Sequence, residues 1–154
     1  MAETAIIPAL LLLCATTMAQ AATRGEAVYA EHCTACHQSG GVGTPGLAPP
    51  LFNTLGTQLG SPDAVQYLSR LVVAGMVGRI TVQGEPYNGA MPAFASLSDA
   101  DLAAVLGYVI EDLNAAVKPA GYVAPSGEDI SKARAAAPKP NDVWRLRQQL
   151  MGAK

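Results

Sequence analysis

Five consecutive residues, Cys33-Thr34-Ala35-Cys36-His37, constrain this chain more than any other stretch. Two thiols three positions apart fall on one face of a helical turn, and a histidine follows the second directly. Each thiol can add to a vinyl group of a haem to form a thioether, and the histidine is then held under the iron as its proximal ligand. Rival uses of the spacing need features that are missing. A thioredoxin-like redox pair needs a surrounding βαβ pattern. A structural zinc site needs four ligands, and Cys33, Cys36, His37 and His32 all lie within six residues, too close together to surround an ion tetrahedrally. A disulfide across C-x-x-C closes a tiny, often strained loop. The motif points to one covalent haem c on Cys33 and Cys36, with His37 on the metal. His32 sits too near His37 to reach the opposite haem face and reads as a surface histidine.

The N-terminus agrees with export. Ala5 to Ala19 is uncharged and mostly apolar, shorter than the ~20 residues a membrane-crossing helix needs. It runs into Ala19-Gln20-Ala21-Ala22, a small-x-small cleavage pattern. Residues 1–22 are therefore expected to be a cleaved signal peptide of a periplasmic protein. The leader carries Glu3 and no Lys or Arg, so an uncleaved anchor is the alternative, and membrane contact is expected only in that case. Cys14 follows the bulky Leu13, which a lipidation motif does not accept, and reads as a small apolar residue of the leader.

The leader also explains an unusual composition. Half of the 154 residues are apolar, 14% are charged and 5% aromatic, with a mean hydropathy of +0.22. A haem, being large, flat and apolar, replaces the missing aromatic rings as core filling. The net charge of −2 excludes a nucleic-acid-binding field over the whole chain. That total conceals a division. Residues 23–117 hold Arg24, Arg70 and Arg79 against eight carboxylates, for −5, whereas residues 118–154 hold seven cations against three carboxylates, for +4. With Pro119, Gly121, Pro125, Gly127, Pro138 and Pro140 in the second stretch, the chain divides into a leader, an acidic domain over 23–117 and a basic extension over 118–154.

Helices are expected over Arg24–Cys36, from the Ser61-Pro62-Asp63 start to about Gly75, and from Ser98-Asp99-Ala100-Asp101 to about Leu113. Two shorter ones are expected over Glu128–Ala136 and Asp142–Leu150. The Gly- and Pro-rich stretch Ser39–Pro50 is a loop. It lacks the Gly-Lys-Ser/Thr ending and the preceding strand of a phosphate-binding loop. A short hairpin is expected from Arg79 to Asn88, turning around Gly84-Glu85-Pro86. The fold class is all-α.

The acidic domain resembles the class I c-type cytochromes. Gly25 and Tyr29 are similar to that family's glycine and aromatic residue on the first helix, with Gly107-Tyr108 as their partners on the last core helix. The family's loop after the attachment motif carries a proline whose carbonyl accepts the proximal histidine N–H, and Pro50 is the similar position, with Pro49 second. Tyr87-Asn88-Gly89-Ala90-Met91-Pro92-Ala93-Phe94 is similar to the loop that supplies the sixth iron ligand. The resemblance implies Met91 as that ligand, with Met76 the only serious rival in the domain. It implies a few helices around one covalent haem, followed here by a helical or irregular extension. Arg79 suits a haem propionate as a charge-assisted partner. Tyr87 or Asn88 suits a propionate or the methionine sulfur.

Met/His ligation favours Fe(II) and leaves no open site for substrate. The expected function is a periplasmic one-electron carrier, not an enzyme, passing electrons from a dehydrogenase to a terminal oxidase or reductase. Alternatives are a fixed haem subunit of a membrane or dehydrogenase complex, and a haem oxidase or peroxidase with an open sixth site. The extension either folds back on the acidic domain, docks on an acidic partner or stays loose. Val143-Trp144-Arg145-Leu146-Arg147 is its apolar anchor.

Overall fold

In a computed structural model, which describes residues 24–152, helices carry the fold and paired strands are confined to one excursion between two of them. The elements are α1 (24–32), α2 (Thr34–His37), α3 (Gly56–Leu59), α4 (Ala64–Ala74), β1 (Met76–Val77), β2 (Ile80–Val82), β3 (Glu85–Tyr87), β4 (Ala90–Met91), α5 (Asp99–Glu111), α6 (Gly127–Ala135) and α7 (Pro140–Gly152). The leader expected over 1–22 lies outside the described residues. Among those described, no helix is long and apolar enough to cross a membrane.

Helix α5 is the axis of the fold. Ser98 caps it by accepting the Asp101 N–H, and Asp99 and Asp101 place negative charge on its first turn. Leu102, Val105, Leu106, Val109 and Ile110 then form its buried face. Helix α1 crosses it so closely that a Cβ on Gly25 would fall 2.2 Å from the Ala104 carbonyl oxygen. Only glycine allows that approach. The meeting point is thus Ala104 and Tyr108, not Gly107, where an added Cβ meets nothing within 4 Å. Tyr29 is buried against Tyr108 with ring centroids 5.4 Å apart, and Arg24 pairs with Asp101 at 2.7 Å.

Helix α4 begins at Ala64 with Asp63 at its cap position, two residues later than a cap at Ser61 implies. The Ser61 hydroxyl accepts from Asp63 N–H and its carbonyl from Ala64 N–H, closing a turn ahead of the helix. The helix ends at Gly75, whose N–H returns to Leu71. Beyond it, β2 pairs with β3 antiparallel, Ile80 opposite Tyr87 and Val82 opposite Glu85. The turn is Gln83-Gly84, both at positive φ (52° and 86°), as a two-residue type I′ turn requires. Glu85 and Pro86 therefore belong to the strand. A second ladder, unforeseen from the sequence, sets Met76 of β1 opposite Met91 of β4. Two residues a side are too few to show any alternation.

The extension folds back. Helix α6 packs on α4 and α5, and α7 on α4, β1 and α3. Ile130 and Val143 are fully buried in the same core cluster as Leu68, Leu102 and Leu106. Ser126 and Asp129 form a capping box at the start of α6. Arg134 then ties α6 to the opening of α5, donating to Asp99 Oδ1 and to the carbonyls of Ala95 and Leu97. Lys118 pairs with Glu111. Trp144 lies against Gly78 and donates its Nε1–H to the Arg79 carbonyl at 2.9 Å. The apolar anchor of the extension is thus used within the molecule.

Candidate haem site

The attachment motif sits at a break between two helices. Cys33 N–H still bonds to Tyr29 of α1, and His37 N–H bonds back to Cys33 across α2, which gathers both thiols and the imidazole on one side. Cys33 and Cys36 are free and half-buried. Burial and the neighbouring Cys36 push the Cys33 thiol up to about 11. Burial also lowers the pKa of His37, so a neutral ring is favoured. Its Nδ1 lies 2.9 Å from the Pro49 carbonyl oxygen and donates to it, which fixes the tautomer and leaves Nε2 free to bind metal.

That carbonyl belongs to Pro49, correcting the expectation of Pro50. The Pro50 oxygen is occupied, accepting from the Thr54 hydroxyl at 2.8 Å. Backbone bonds draw the loop into this register. Leu51 and Phe52 N–H both bond to Gly41, and Gly43 N–H bonds to the His37 carbonyl. Gly43 adopts φ 77°, and a Cβ there would fall 2.6 Å from Pro50 N. The loop can press onto the two prolines only because this residue is glycine.

The far end of the loop hangs on Asn114, a residue that no sequence motif singles out. It is fully buried just beyond α5. Its Oδ1 accepts from Thr54 and Leu55 N–H, and its Nδ2 donates to the Leu51 and Val109 carbonyls. A polar residue after a helix is ordinary in sequence, so nothing there marks it.

Cys33, Cys36 and His37 open onto a cavity walled largely by apolar side chains, among them Val28, Leu55, Leu68, Val72, Ile80, Phe94, Leu102 and Leu106. Met91 lines it from β4 and Met76 from β1. The two methionines that compete in the sequence for the sixth position are therefore cross-strand neighbours, Met76 the more deeply buried. Tyr87 is buried in the wall. Asn88 is exposed and not part of it, and Arg79 faces an outer depression shared with Thr81 and Gln148. The arginine that does line the cavity is Arg147 of α7. His32 is less exposed than a surface histidine, its side chain 30% accessible and its ring edge-on to Phe94 at the cavity wall.

These residues fit a haem. Two free thiols, one imidazole with a bare nitrogen and a thioether surround a largely apolar space, with Arg147 and the unpartnered Gln58 Oε1 among its polar features. Among the described residues no group of three or more His, Cys, Asp or Glu is placed to hold a bare metal ion. The donor set suits a metal that arrives in its own ring of ligands.

Comparison with known proteins bears on the same residues. A cytochrome c-552 of Thermus thermophilus is 37% identical over 142 residues, covering 92% of this chain and 94% of that protein. The chain belongs to the cytochrome c family. A second cytochrome c-552 from Thermus thermophilus is 36% identical over 126 residues, covering 82% of this cytochrome and 95% of its relative. The family profile described as "Cytochrome C oxidase, cbb3-type, subunit III" matches residues 20–109. Both relatives reach well past that match, so their likeness extends into the helical extension. The cytochrome is accordingly an electron carrier of mostly helical fold.

Proposed function

We propose that this cytochrome is an exported one-electron carrier of class I, with a single haem c bound through Cys33 and Cys36 and held between His37 and Met91. The observation that carries the reading is the bond from His37 Nδ1 to the Pro49 carbonyl. It presets the imidazole as a ligand beside two free thiols, in a cavity that Met91 also lines. When bound, the haem supplies an Fe(III)/Fe(II) couple. The protein's part is to hold it. Pro49 orients and enriches the imidazole, the Asn114-anchored loop fixes Pro49, and the apolar wall excludes water. With His37 and Met91 both holding the iron, the group would exchange electrons without a change of protein ligand, which suits electron transfer. A periplasmic dehydrogenase is the proposed donor and a terminal oxidase or reductase the proposed acceptor.

The test has two steps. A haemochrome spectrum of the denatured protein is expected to show covalent haem. Ferrous wild-type protein is expected to bind carbon monoxide poorly, and Met91→Ala to bind it readily and lose the far-red methionine–ferric haem band. No covalent haem, or an unchanged Met91→Ala spectrum, overturns the assignment. Ready carbon monoxide binding by the wild type would favour the oxidase or peroxidase alternative. A second reading, a fixed haem subunit of an oxidase complex, is favoured by the matching family profile, that of subunit III of a cbb3-type oxidase. Recovery of the cytochrome in salt-washed membranes would support it, and recovery in the soluble periplasmic fraction would exclude it.

A further inference from the structure

The cavity holds a cation that nothing in its wall answers. Arg147 is 4% exposed and lies on α7. No carboxylate lines the cavity, nor the outer depression the same residue touches. Among the described residues Arg147 makes no ion pair, whereas Arg134 is answered by Asp99 and Arg145 by Asp142. A buried guanidinium without a counter-charge is strongly unfavourable. A second orphan shares the space. Gln58, on α3 where that helix packs against α7, has a buried Oε1 with no hydrogen-bond partner. Which end of an amide carries oxygen follows from its partner. Turned end for end, Gln58 presents an NH2 donor. The other titratable or charged neighbours are Tyr67 from α4, whose hydroxyl burial pushes up to about 12 against the pull of Arg147, and Arg79 on the outer side.

We propose that Arg147, with Gln58 of the same cavity wall, receives a propionate carboxylate of the haem, so that the C-terminal extension supplies the cofactor's counter-charge. This rests on the haem reading above and adds a residue outside the 23–117 segment that carries the class I resemblance. The planar guanidinium fork matches a carboxylate bidentately, and the amide adds a third donor. Arg79, the arginine suggested by sequence, is displaced from this role by one 68 positions further along the chain. Pairing keeps the propionate ionised, so proton uptake there does not couple to the iron.

The test uses purified holoprotein whose propionate carboxylates carry ¹³C from a labelled haem precursor. Nuclear magnetic resonance of the unmodified protein is expected to show one carboxylate still ionised well below the ordinary carboxylate range of about 4 to 5. Its midpoint potential is expected to be flat from about pH 5 to 8, since no propionate titrates in that window. In Arg147→Gln the carboxylate is left buried and unpaired, and its pKa climbs. The midpoint then falls as pH rises, because the unpaired anion stabilises ferric iron. Arg145→Gln, an equal charge change two residues away on α7, is expected to keep the flat profile. The proposal is overturned if both propionates of the unmodified protein titrate together in the ordinary range. A flat Arg147→Gln profile, or the same slope in Arg145→Gln, overturns it as well. The labelled measurement needs no variant and can overturn the proposal even if Arg147→Gln does not fold. Absence of covalent haem would instead defeat the haem reading itself.

Discussion

Asn114 makes four hydrogen bonds with no solvent exposure, and three of them hold the stretch from Leu51 to Leu55. Asn114→Ala would leave buried N–H and carbonyl groups unpaired. Each such group costs about 1–3 kcal/mol, so a loss of about 3 kcal/mol in unfolding free energy is expected, part of the loop escaping to solvent. Denaturant unfolding checks it. A change below about 0.5 kcal/mol would mean that the loop is held by other bonds. This residue is illegible in the sequence for a physical reason: its partners are mostly backbone groups some 60 positions away, and backbone groups leave no signature in side-chain pattern. The motif at Cys33–His37 is legible because its chemistry is local. The choice between Pro49 and Pro50 is not, since it turns on which carbonyl Thr54 takes.

Among the elements, Asp101 on the first turn of α5 clasps Arg24 of α1. Its carboxylate accepts from Arg24 and from Ser98, and these bonds lower its pKa. A carboxylate with a lowered folded pKa contributes stability that is complete above its unfolded value, about 4, and is lost as pH falls through the folded one. Asp101→Asn is therefore expected to lower Tm at neutral pH and to make the decline of Tm between about pH 4 and 2 shallower. Parallel melting curves for the two proteins across that range would show that the clasp adds nothing. The capped start of α5 is readable from Ser98-Asp99-Ala100-Asp101 alone, because caps are set by neighbours in sequence. The start of α4 is not, because Ser61 and Pro62 are equally suited to a turn, and tertiary placement chose the turn. The β1–β4 ladder exists because both chain ends of the excursion return to the same wall, which two-residue strands cannot announce.

At the scale of the whole molecule, the division by charge does not mark a division of structure. The acidic and basic stretches meet through Arg134 with Asp99 and Lys118 with Glu111, and Ile130 and Val143 complete a core begun by Leu68 and Leu102. The holoprotein is expected to unfold in one cooperative transition, and limited proteolysis to yield no stable fragment ending near Lys118. A protected fragment of that kind would show the acidic part to be a domain in its own right. That the extension folds back is one of three readings open from charge alone, because complementarity of −5 and +4 says that two surfaces attract without saying whether both lie on one chain. The placement of α7 has a bearing on how the molecule is made. Arg147 of α7 sits in the cavity wall, 110 positions along the chain from His37 in the same wall. The wall is therefore complete only when α7 has docked, which ties the shape of the cavity to the folding of the extension.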